Sequence, residues 1–423
     1  MIESQVHASR RQFLAALAAA AALPGTALAR DTKGAAAHPA VRALVERYVA
    51  EHKVADMVVD VGGRDGPPDF VSAGRLALGG GAAAGPDMLC RIYSMTKPLT
   101  AAAAMILIEQ GKLGLDQPLS DIFPGFAHMT VLTDPANGLA TRPATTPILI
   151  RHLLTHTSGL SYAIMGNGPL QKLYTAKGIV PAQVSPADEA TAHRPPNLIA
   201  FAEAVAPLPL LADPGTAWNY SIALDVTGAV IEKVSGEPFD AFLMRHVIAP
   251  LGMGDTMFTV PAAKLSRLST NYTVTPSGLV RLDGPPDSVY ARKPAFPYGG
   301  AGLVSSARDY ARFMDMLLGE GQLGTVRVMK TETARLMMSN LLAPGLTSKD
   351  GSGYGAGGKV VIAETPGSGA VGTYGWSGAA GTTAFVDRTN GVYAVLMTQF
   401  MPSNSYPLNA EFGTAFYGDL RAA

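Results

Sequence analysis

The sequence predicts a mixed α/β fold in which both ends of the chain combine helices with strands and the middle is mostly helix and loop. Three observations support this prediction. A helical pattern and strand patterns precede residue 86, the middle shows helical spacing broken by Gly and Pro, and the segment after residue 380 is rich in β-strand residues. The 423 residues are 48% hydrophobic and 16% charged, which is typical of folded globular domains.

The first elements follow from the spacing of apolar residues. Residues 40–52 carry apolar side chains at helical intervals, and Met57 to Val61 form a strand pattern closed by Gly62 and Gly63. Strand-like segments punctuated by Gly continue to about residue 86. An Ala-rich apolar segment then runs from Ser94 to Gly111, and it predicts a helix with Ser94 at its N-terminus.

Later elements are predicted in the same way. Further helices are expected over 148–155, 222–234, 239–247, 307–318, 331–338 and 409–420. Residues 382–386 and 392–399 are predicted to be strands that meet at the hairpin signal Asn390-Gly391. Residues 161–197 contain many Gly and Pro without a sustained period, and we expect them to form an irregular loop that shapes a binding site.

Charge and cysteine content restrict the class of function. Lys and Arg number 33 and so do Asp and Glu, so there is no electrostatic reason to expect nucleic acid or anionic lipid as a partner. A small neutral molecule fits better. Cys90 is the single cysteine, which excludes an intrachain disulfide and a cysteine-built metal site, and its apolar context indicates core packing.

The N-terminal segment has the parts of an export signal. Arg10 and Arg11 precede a short Ala/Leu-rich stretch that ends in Ala27-Leu28-Ala29. This order is typical of a twin-arginine signal over residues 1–29, cleaved after Ala29, and the apolar stretch is too short and alanine-rich for a membrane span. We therefore expect a protein exported to the periplasm without stable membrane association. The alternative is an N-terminal helix retained in the fold.

Ser94-Met95-Thr96-Lys97 is the stretch with the clearest chemistry. Three residues make nearly one helical turn, so the polar ends of Ser94 and Lys97 can meet. A serine hydroxyl becomes a good nucleophile when a neighbouring base removes its proton, and a lysine does so only in its neutral form. By itself this pattern also fits a serine helix cap followed by a solvated lysine. The surrounding motifs are therefore needed to choose between a catalytic pair and a helix cap.

Those motifs closely resemble the serine hydrolases of the penicillin-binding-protein and class C β-lactamase fold, and within them the family VIII carboxylesterases. They occur in the family's order and cover nearly all of the chain after residue 29. The matching segments are Tyr93-Ser94-Met95-Thr96-Lys97-Pro98, Leu153-Leu154-Thr155-His156-Thr157-Ser158-Gly159-Leu160, Asn219-Tyr220-Ser221, Pro250-Leu251-Gly252-Met253, Gly299-Gly300-Ala301-Gly302-Leu303 and Gly375-Trp376-Ser377-Gly378.

The resemblance implies a fold and a catalytic trio. The fold would be a central antiparallel sheet flanked by helices plus a mostly helical part, with the active site between them. The α/β part would comprise residues 30–114 and 290–423, and the helical part residues 115–289. Ser94 would be the acylated nucleophile, with Lys97 and Tyr220 as its base and acid pair. Which of the two takes the serine proton first stays open, because strongly coupled groups titrate as a unit.

The resemblance also implies an oxyanion hole and a pocket. The backbone amides of Ser94 and Ala379 would hold the oxyanion, and Tyr93, Trp376, Ser377 and Gly378 would line the substrate pocket.

Two departures from the family's patterns bear on the substrate. Trp376 stands where Lys-Thr-Gly members have a lysine that helps to bind a carboxylate, and Ile222 replaces the asparagine of Tyr-x-Asn. An uncharged ester therefore suits the sequence better than an anionic amide.

Other site types have less support in the sequence. There is no Gly-x-Ser-x-Gly, the motif of the α/β-hydrolase nucleophile. His152 and His156 have the i, i+4 spacing that can present two nitrogens to zinc, but no acidic residue follows His152 as in His-Glu-x-x-His. Structural hydrogen bonds at a helix end are the better interpretation. We expect neither a metal nor a cofactor.

The sequence thus predicts a serine carboxylesterase that hydrolyses short-chain carboxylic esters through an acyl-enzyme on Ser94. The alternatives are a β-lactamase or a D-amino-acid peptidase of the same fold, an acyltransferase that uses the same acyl-enzyme, and a non-catalytic binding protein that has kept the fold. Acyl-chain preference and oligomeric state are left open.

Overall fold

The structure is a computed structural model that describes residues 38–64 and 66–422. The strands in this part of the chain are β1 (Asp56–Gly63), β2 (Asp69–Ala77), β3 (Gly80–Ala83), β4 (Cys90–Arg91), β5 (Thr130–Leu132), β6 (Thr141–Pro143), β7 (Asn271–Thr275), β8 (Gly278–Asp283), β9 (Val304–Ser305), β10 (Gln322–Leu323), β11 (Val326–Arg327), β12 (Gly353–Tyr354), β13 (Lys359–Val360), β14 (Tyr374–Ser377), β15 (Thr383–Asp387), β16 (Val392–Met397) and β17 (Phe400–Met401).

Most of the helices lie between residues 96 and 338. The α-helices of the described residues are α1 (Pro39–Ala50), α2 (Thr96–Glu109), α3 (Ile150–Leu154), α4 (Pro169–Ala176), α5 (Pro186–Thr191), α6 (Leu198–Val205), α7 (Ala223–Ser235), α8 (Phe239–Leu243), α9 (Ala307–Leu318), α10 (Thr331–Met337) and α11 (Leu408–Ala422).

The central sheet confirms the predicted fold class. Within the described residues it has eight strands in the order β12-β13-β14-β15-β16-β1-β2-β3, and every neighbouring pair is antiparallel. Val58 lies opposite Met397 and Val61 opposite Ala394, so the first and last parts of the chain meet in the middle of the sheet.

The two faces of the sheet bury different clusters, because side chains alternate along a strand. Val58 and Met397 belong to the large core that also holds α2 and α7. Val59 and Leu396 point the other way and pack with residues of α1 and α11, such as Leu44. The sheet is therefore covered by helices on both faces, as the resemblance implied.

Most predicted elements are found with small changes at their ends. The helix predicted over 307–318 is α9, which begins after Ser306, whose hydroxyl accepts a hydrogen bond from Asp309 N at 3.2 Å. The helix predicted over 239–247 is split, since α8 is followed by a π-helical turn, Met244–Ile248.

The expectation of a wholly irregular segment over 161–197 is wrong. It contains α4 and α5, each of which has a proline in its first turn. These helices are only eight and six residues long, which is too short for a helical period to stand out in the sequence.

Two expectations lie outside these findings. The export signal over 1–29 falls outside the described residues. The boundaries of the α/β part (30–114 and 290–423) and of the helical part (115–289) stay a prediction. Among the described residues, none of the helices is both long enough and apolar enough to cross a membrane.

Candidate active site

Ser94 lies at the junction between the sheet and helix α2. It is part of a 3₁₀ turn, Tyr93–Met95, which leads directly into α2. Tyr93 has a left-handed backbone with φ of 40°, which is uncommon for an aromatic residue. The resulting sharp turn presents Ser94 to the cavity while the residues on either side of it stay buried.

Tyr93 itself is a correction to the predicted pocket. Its side chain is 2% exposed and is not among the residues that line the cavity. Its ring packs edge-on against Tyr290 at 6.4 Å, and its hydroxyl oxygen accepts a hydrogen bond from Asn271 Nδ2 at 3.5 Å. The left-handed backbone directs the Tyr93 side chain into the core, and its contacts there hold the turn that carries Ser94.

Lys97 lies one turn further along α2 and is fully buried. Its Nζ donates a hydrogen bond to Gly300 O at 2.8 Å and a longer one to Ser94 Oγ at 3.4 Å. The same nitrogen lies 4.6 Å from the centre of the Tyr220 ring and 5.4 Å from that of Tyr162. The lysine is therefore held between the Ser94 hydroxyl, a backbone carbonyl and two aromatic faces, where water is largely excluded.

Tyr220 approaches Ser94 from the other side. Its hydroxyl donates a hydrogen bond of 2.6 Å to Ser94 Oγ. The ring is held between Tyr162, stacked at 5.6 Å, and Trp218, stacked at 6.1 Å. Trp376 packs against a further side of the Tyr220 ring, with 5.6 Å between the two ring centres. The position of the hydroxyl is thus fixed by packing.

The segment around His156 orients Tyr220 through its neighbours. Asn219 N donates to His156 O at 2.8 Å, and Ser221 N donates to His156 Nδ1 at 3.3 Å. Burial, together with the charge of Lys97, holds the pKa of His156 well below its usual value, so the ring is neutral. Because Nδ1 accepts from a backbone amide, the ring proton lies on Nε2.

The Gly299-Gly300 segment fits between α2 and α7. Gly299 O accepts from Thr100 Oγ1 at 2.7 Å, and Gly300 N donates to Asp225 Oδ1 at 2.8 Å. A β-carbon on Gly300 would overlap with the Asp225 carboxylate, and one on Gly299 would overlap with Leu224 O. The two glycines are needed because any larger residue would push the backbone off Lys97.

Gly378 has a similar role at the end of β14. A β-carbon at this position would overlap with Ile92 O and with Thr382 Oγ1. Glycine therefore lets the end of the strand approach the turn that carries Ser94. Ala379 follows and lines the same cavity as Ser94. The oxyanion role expected for its amide stays a prediction.

The cavity at this junction has a volume of about 480 Å³. The predicted residues that line it are Ser94, Tyr220, Trp376, Ser377, Gly378 and Ala379. Lys97 lies buried beneath them. The structure thus brings together every predicted site residue except Tyr93.

Sequence reasoning missed a large part of the cavity wall. Lys359 and Asp350 lie on one side, 3.1 Å apart as an ion pair, and Phe412 and Tyr417 of α11 lie on another. Ile164 of the long loop is 68% exposed and also lines the cavity. Ile164 belongs to the 161–197 segment that was expected to shape a binding site. The other four residues have no local signal in the sequence, since strand pairing and helix packing bring them in from distant segments.

The two histidines considered as zinc ligands, His152 and His156, both accept hydrogen bonds from backbone amides through Nδ1. His152 Nδ1 accepts from Leu149 N at 3.1 Å, and His156 Nδ1 is used by Ser221. In the described residues, no group of three or more His, Cys, Asp or Glu side chains is arranged to hold a metal ion.

Comparison with known proteins identifies relatives of this chain. The Beta-lactamase family model matches residues 41–415. Protein Rv1367c of Mycobacterium tuberculosis is 36% identical over 335 residues, which cover 75% of this chain and 79% of the relative. Esterase EstB of Burkholderia gladioli is 32% identical over 333 residues, covering 74% and 77% of the two chains.

A solved structure also resembles this one. It is that of EstCE1, described as a hydrolase with promiscuous acyltransferase activity, at 27% identity and a TM-score of 0.73. The match covers 89% of this chain and 97% of EstCE1. The chain therefore belongs to the Beta-lactamase family, and its esterase relatives make it a serine hydrolase of the family VIII type.

Proposed function

We propose that the protein is a serine carboxylesterase that hydrolyses short-chain carboxylic esters through an acyl-enzyme on Ser94. The observation that carries this proposal is the pair of contacts on Ser94 Oγ, from Tyr220 Oη at 2.6 Å and from Lys97 Nζ at 3.4 Å. A serine hydroxyl within hydrogen-bond reach of two buried or half-buried proton-transfer groups is the arrangement that nucleophilic catalysis requires.

The reaction would proceed in two halves. Ser94 Oγ attacks the ester carbonyl carbon while the Lys97/Tyr220 pair takes the serine proton, and the oxyanion faces the amides of Ser94 and Ala379. The bond to the alcohol oxygen breaks, and the alcohol leaves with the proton from the pair. Water then gives its proton to the pair, attacks the acyl carbon, and releases the acid with Ser94 restored.

The surroundings of Ser94 favour an uncharged ester. Trp376 presents an aromatic ring to Tyr220 where a lysine would bind a substrate carboxylate, and Ile164 adds an apolar side chain to the cavity wall. The cation that lines the cavity, Lys359, is already paired with Asp350. Two similar proteins support this proposal: EstB is described as an esterase and EstCE1 as a hydrolase.

Acyl transfer is the second candidate, and the description of EstCE1 favours it. An alcohol would replace water in the second half and take the acyl group from Ser94. Adding a primary alcohol to the assay and measuring the ratio of new ester to free acid separates a transferase from a hydrolase.

The test of the main proposal compares two substrates. Initial rates are measured on p-nitrophenyl butyrate and on a chromogenic cephalosporin, with the wild type and with Ser94→Ala. We expect fast butyrate hydrolysis, at least about a thousandfold slower in Ser94→Ala, and little cephalosporin turnover. A better rate on the cephalosporin would contradict the role given to Trp376, and equal butyrate rates in the two proteins would contradict the role of Ser94.

We also propose that the protein is exported through the twin-arginine route. The paired Arg10 and Arg11 ahead of an Ala-rich stretch support this. Replacing both arginines by lysine should leave the full-length protein in the cytoplasmic fraction, and N-terminal sequencing of the exported form should begin at Arg30. Export of the variant at the wild-type level would contradict the proposal.

A further inference from the structure

The cavity beside Ser94 is larger than a short-chain ester of a small alcohol requires. Its volume of about 480 Å³ falls within the range of about 300–1,000 Å³ that encloses drug-sized ligands. A butyryl group would occupy a small part of this space. Most of the cavity is therefore available for the other half of the ester.

Strand β14 divides the cavity into two parts, because neighbouring side chains on a strand point to opposite faces of the sheet. Trp376 lies opposite Ala384, a residue of the large core, and packs against Tyr220. Gly375 lies opposite Phe385, whose side chain packs with α11 on the other face. In the described part of the chain, β13 pairs with β14 only as far as Gly375. The edge of β14 is free from Trp376 onward, and residues of both faces line the one cavity.

The part of the cavity on the second face, which we call the α11 compartment, has an aromatic wall made by Phe385, Phe412 and Tyr417. Phe385 is only partly buried. Its ring is held by Tyr417, stacked at 5.7 Å, and by Phe412 at 6.0 Å. Gly375 has no side chain to cover it, and a β-carbon there would overlap with that of Phe385. The Phe385 ring is therefore fixed in position and accessible to a ligand.

The remaining walls of the α11 compartment are held by polar contacts and by close backbone packing. Asn409 Nδ2 donates a hydrogen bond to Ser377 Oγ at 3.2 Å, and Ser377 Oγ lies 2.9 Å from Thr383 Oγ1. These bonds join the start of α11 to β14 and β15. Further along α11, a β-carbon on Gly413 would overlap with Gly367 O, so glycine lets the loop between β13 and β14 lie on the helix.

The α11 compartment suits an uncharged, apolar group. The charged residues that line the cavity, Lys359 and Asp350, are paired with each other at 3.1 Å. An apolar ring placed against Phe385 would leave water and gain a favourable contact between rings. The acyl chain is short in the proposed reaction, so such a ring belongs to the alcohol half of the ester.

We propose that the α11 compartment is a binding subsite for an apolar ring carried by the alcohol half of the ester, with Phe385 as its specificity-determining residue. The carbonyl carbon lies at Ser94, the short acyl group stays beside Tyr220 and Trp376, and the alcohol extends past the free edge of β14 to Phe385. The substrates are thus short-chain esters of alcohols that bear an apolar ring. This inference rests on the proposed function and names its substrate class.

The test compares three esters that differ in where they carry a ring. Ethyl butyrate has none, 2-phenylethyl butyrate has one on the alcohol, and ethyl 4-phenylbutyrate has one on the acyl chain. We expect kcat/KM of the wild type to be about tenfold or more higher for 2-phenylethyl butyrate than for ethyl butyrate. The ring on the acyl chain should give no such gain. A ratio near one, or a larger gain from the ring on the acyl chain, would overturn the proposal.

The residue assignment is tested with Phe385→Leu, which keeps an apolar side chain and removes the ring. The ratio of kcat/KM for 2-phenylethyl butyrate to that for ethyl butyrate should fall about fivefold or more. The matched control is Phe416→Leu, because Phe416 packs edge-on against Phe385 at 5.1 Å and does not line the cavity. Its ratio should stay within about twofold of the wild-type ratio.

A ratio that is unchanged in Phe385→Leu, or that falls equally in Phe416→Leu, would overturn the role of Phe385. If Phe385→Leu does not fold, Asn409→Trp decides. Asn409 is exposed at the start of α11 and lines the cavity, so a large side chain there fills the compartment from outside. The same ratio should fall in this variant, and a wild-type ratio would contradict the subsite.

Failure of this inference can be told apart from failure of the proposed function. The wild type and Ser94→Ala are first measured on p-nitrophenyl butyrate, and turnover that does not depend on Ser94 would show that the proposed function is wrong. Binding of 2-phenylethanol is then followed by NMR titration of the wild type and Phe385→Leu, which requires no turnover. If turnover depends on Ser94 and the two proteins bind 2-phenylethanol equally, only the subsite is wrong.

Discussion

Two buried charge clusters in this protein are built in opposite ways. Arg91 and Asp283 are both fully buried and form a direct ion pair. Arg91 also donates to Ser269 O at 2.7 Å and to Gln399 Oε1 at 3.1 Å, and Asp283 accepts from Val289 N at 2.9 Å. In the second cluster, Lys97 and Asp225 are equally buried but are separated by a peptide group.

The difference lies in how many polar atoms are left without partners. Asp225 Oδ2, His156 Nε2 and Trp376 Nε1, all at or next to the active site, lack hydrogen bonds among the described residues. A satisfied network such as that of Arg91 stabilises and rigidifies the fold. An incompletely paired cluster contributes less to stability. Its charges and dipoles can instead stabilise the charge that develops when a proton is transferred or an oxyanion forms.

The largest effect is expected from Lys97→Ala in the second cluster and from Tyr220→Phe, whose ring lies on Lys97. Each removes one proton-transfer group from Ser94, and such groups contribute about 10²- to 10⁴-fold to a rate. Both variants should lose kcat by that order on p-nitrophenyl butyrate while circular dichroism shows the wild-type fold. A rate within about threefold of the wild type would remove the residue concerned from the mechanism.

The next effect is on stability, and it concerns the first cluster. Arg91→Met leaves Asp283 buried without its cation, which typically costs about 3–5 kcal/mol. Urea unfolding should show a loss of this size in the free energy of unfolding. Any protein that stays folded should keep a kcat close to that of the wild type, because Arg91 does not line the cavity. A loss below about 1 kcal/mol would show that the network is not structural.

A smaller effect should appear in the pH dependence of stability. Asp60 in β1 is buried, both of its carboxylate oxygens lack partners among the described residues, and burial raises its pKa to about 8. The folded state therefore holds a proton that the unfolded state releases above about pH 4. Between about pH 4 and 8 this group lowers the free energy of unfolding by up to about 1.4 kcal/mol per pH unit.

Asp60→Asn removes this contribution, so its stability relative to the wild type should increase from pH 5 to pH 8. Urea unfolding at several pH values measures the difference. Asp121→Asn, at an exposed position, is the control and should show a constant difference. A difference for Asp60→Asn that is also constant with pH would mean that Asp60 does not titrate in this range.

The smallest expected effect is that of Asp225→Asn on the free energy of unfolding, which is compared with that of Arg91→Met. Asp225→Asn should change the free energy of unfolding by less than about 1 kcal/mol at pH 7, because no direct ion pair is lost and the Gly300 N–H keeps an acceptor. The same unfolding experiment as for Arg91→Met applies. A loss as large as that of Arg91→Met would mean that the Lys97/Asp225 cluster is structural as well.

Much of the fold could be predicted because its signals are local. Helix α9 is bounded by Ser306 and Gly319, and the strands β15 and β16 meet at Asn390-Gly391. The spacing of Ser94 and Lys97 likewise predicted that their polar ends meet, and they do at 3.4 Å. Helical period, cap residues and turn residues are each set by a few neighbouring positions, so the sequence carries them directly.

The rest depends on contacts between distant segments. The resemblance implied that Tyr93 lines the pocket, but its left-handed backbone places the ring against Tyr290. Phe412 and Tyr417 reach the cavity only because α11 packs on the sheet. The contact between Asp225 and the Gly300 N–H could not be predicted, because it exists only when the Gly300 peptide lies between α2 and α7.

The central claim is that Ser94 is the nucleophile activated by Tyr220 and Lys97. It is tested most directly by covalent labelling with a fluorophosphonate, followed by peptide mass spectrometry, on the wild type, Ser94→Ala and Tyr220→Phe. The account predicts one adduct on the peptide that contains Ser94, none in Ser94→Ala, and labelling slower by about a hundredfold or more in Tyr220→Phe. An adduct on another serine, or labelling of Ser94→Ala at the wild-type rate, would contradict it.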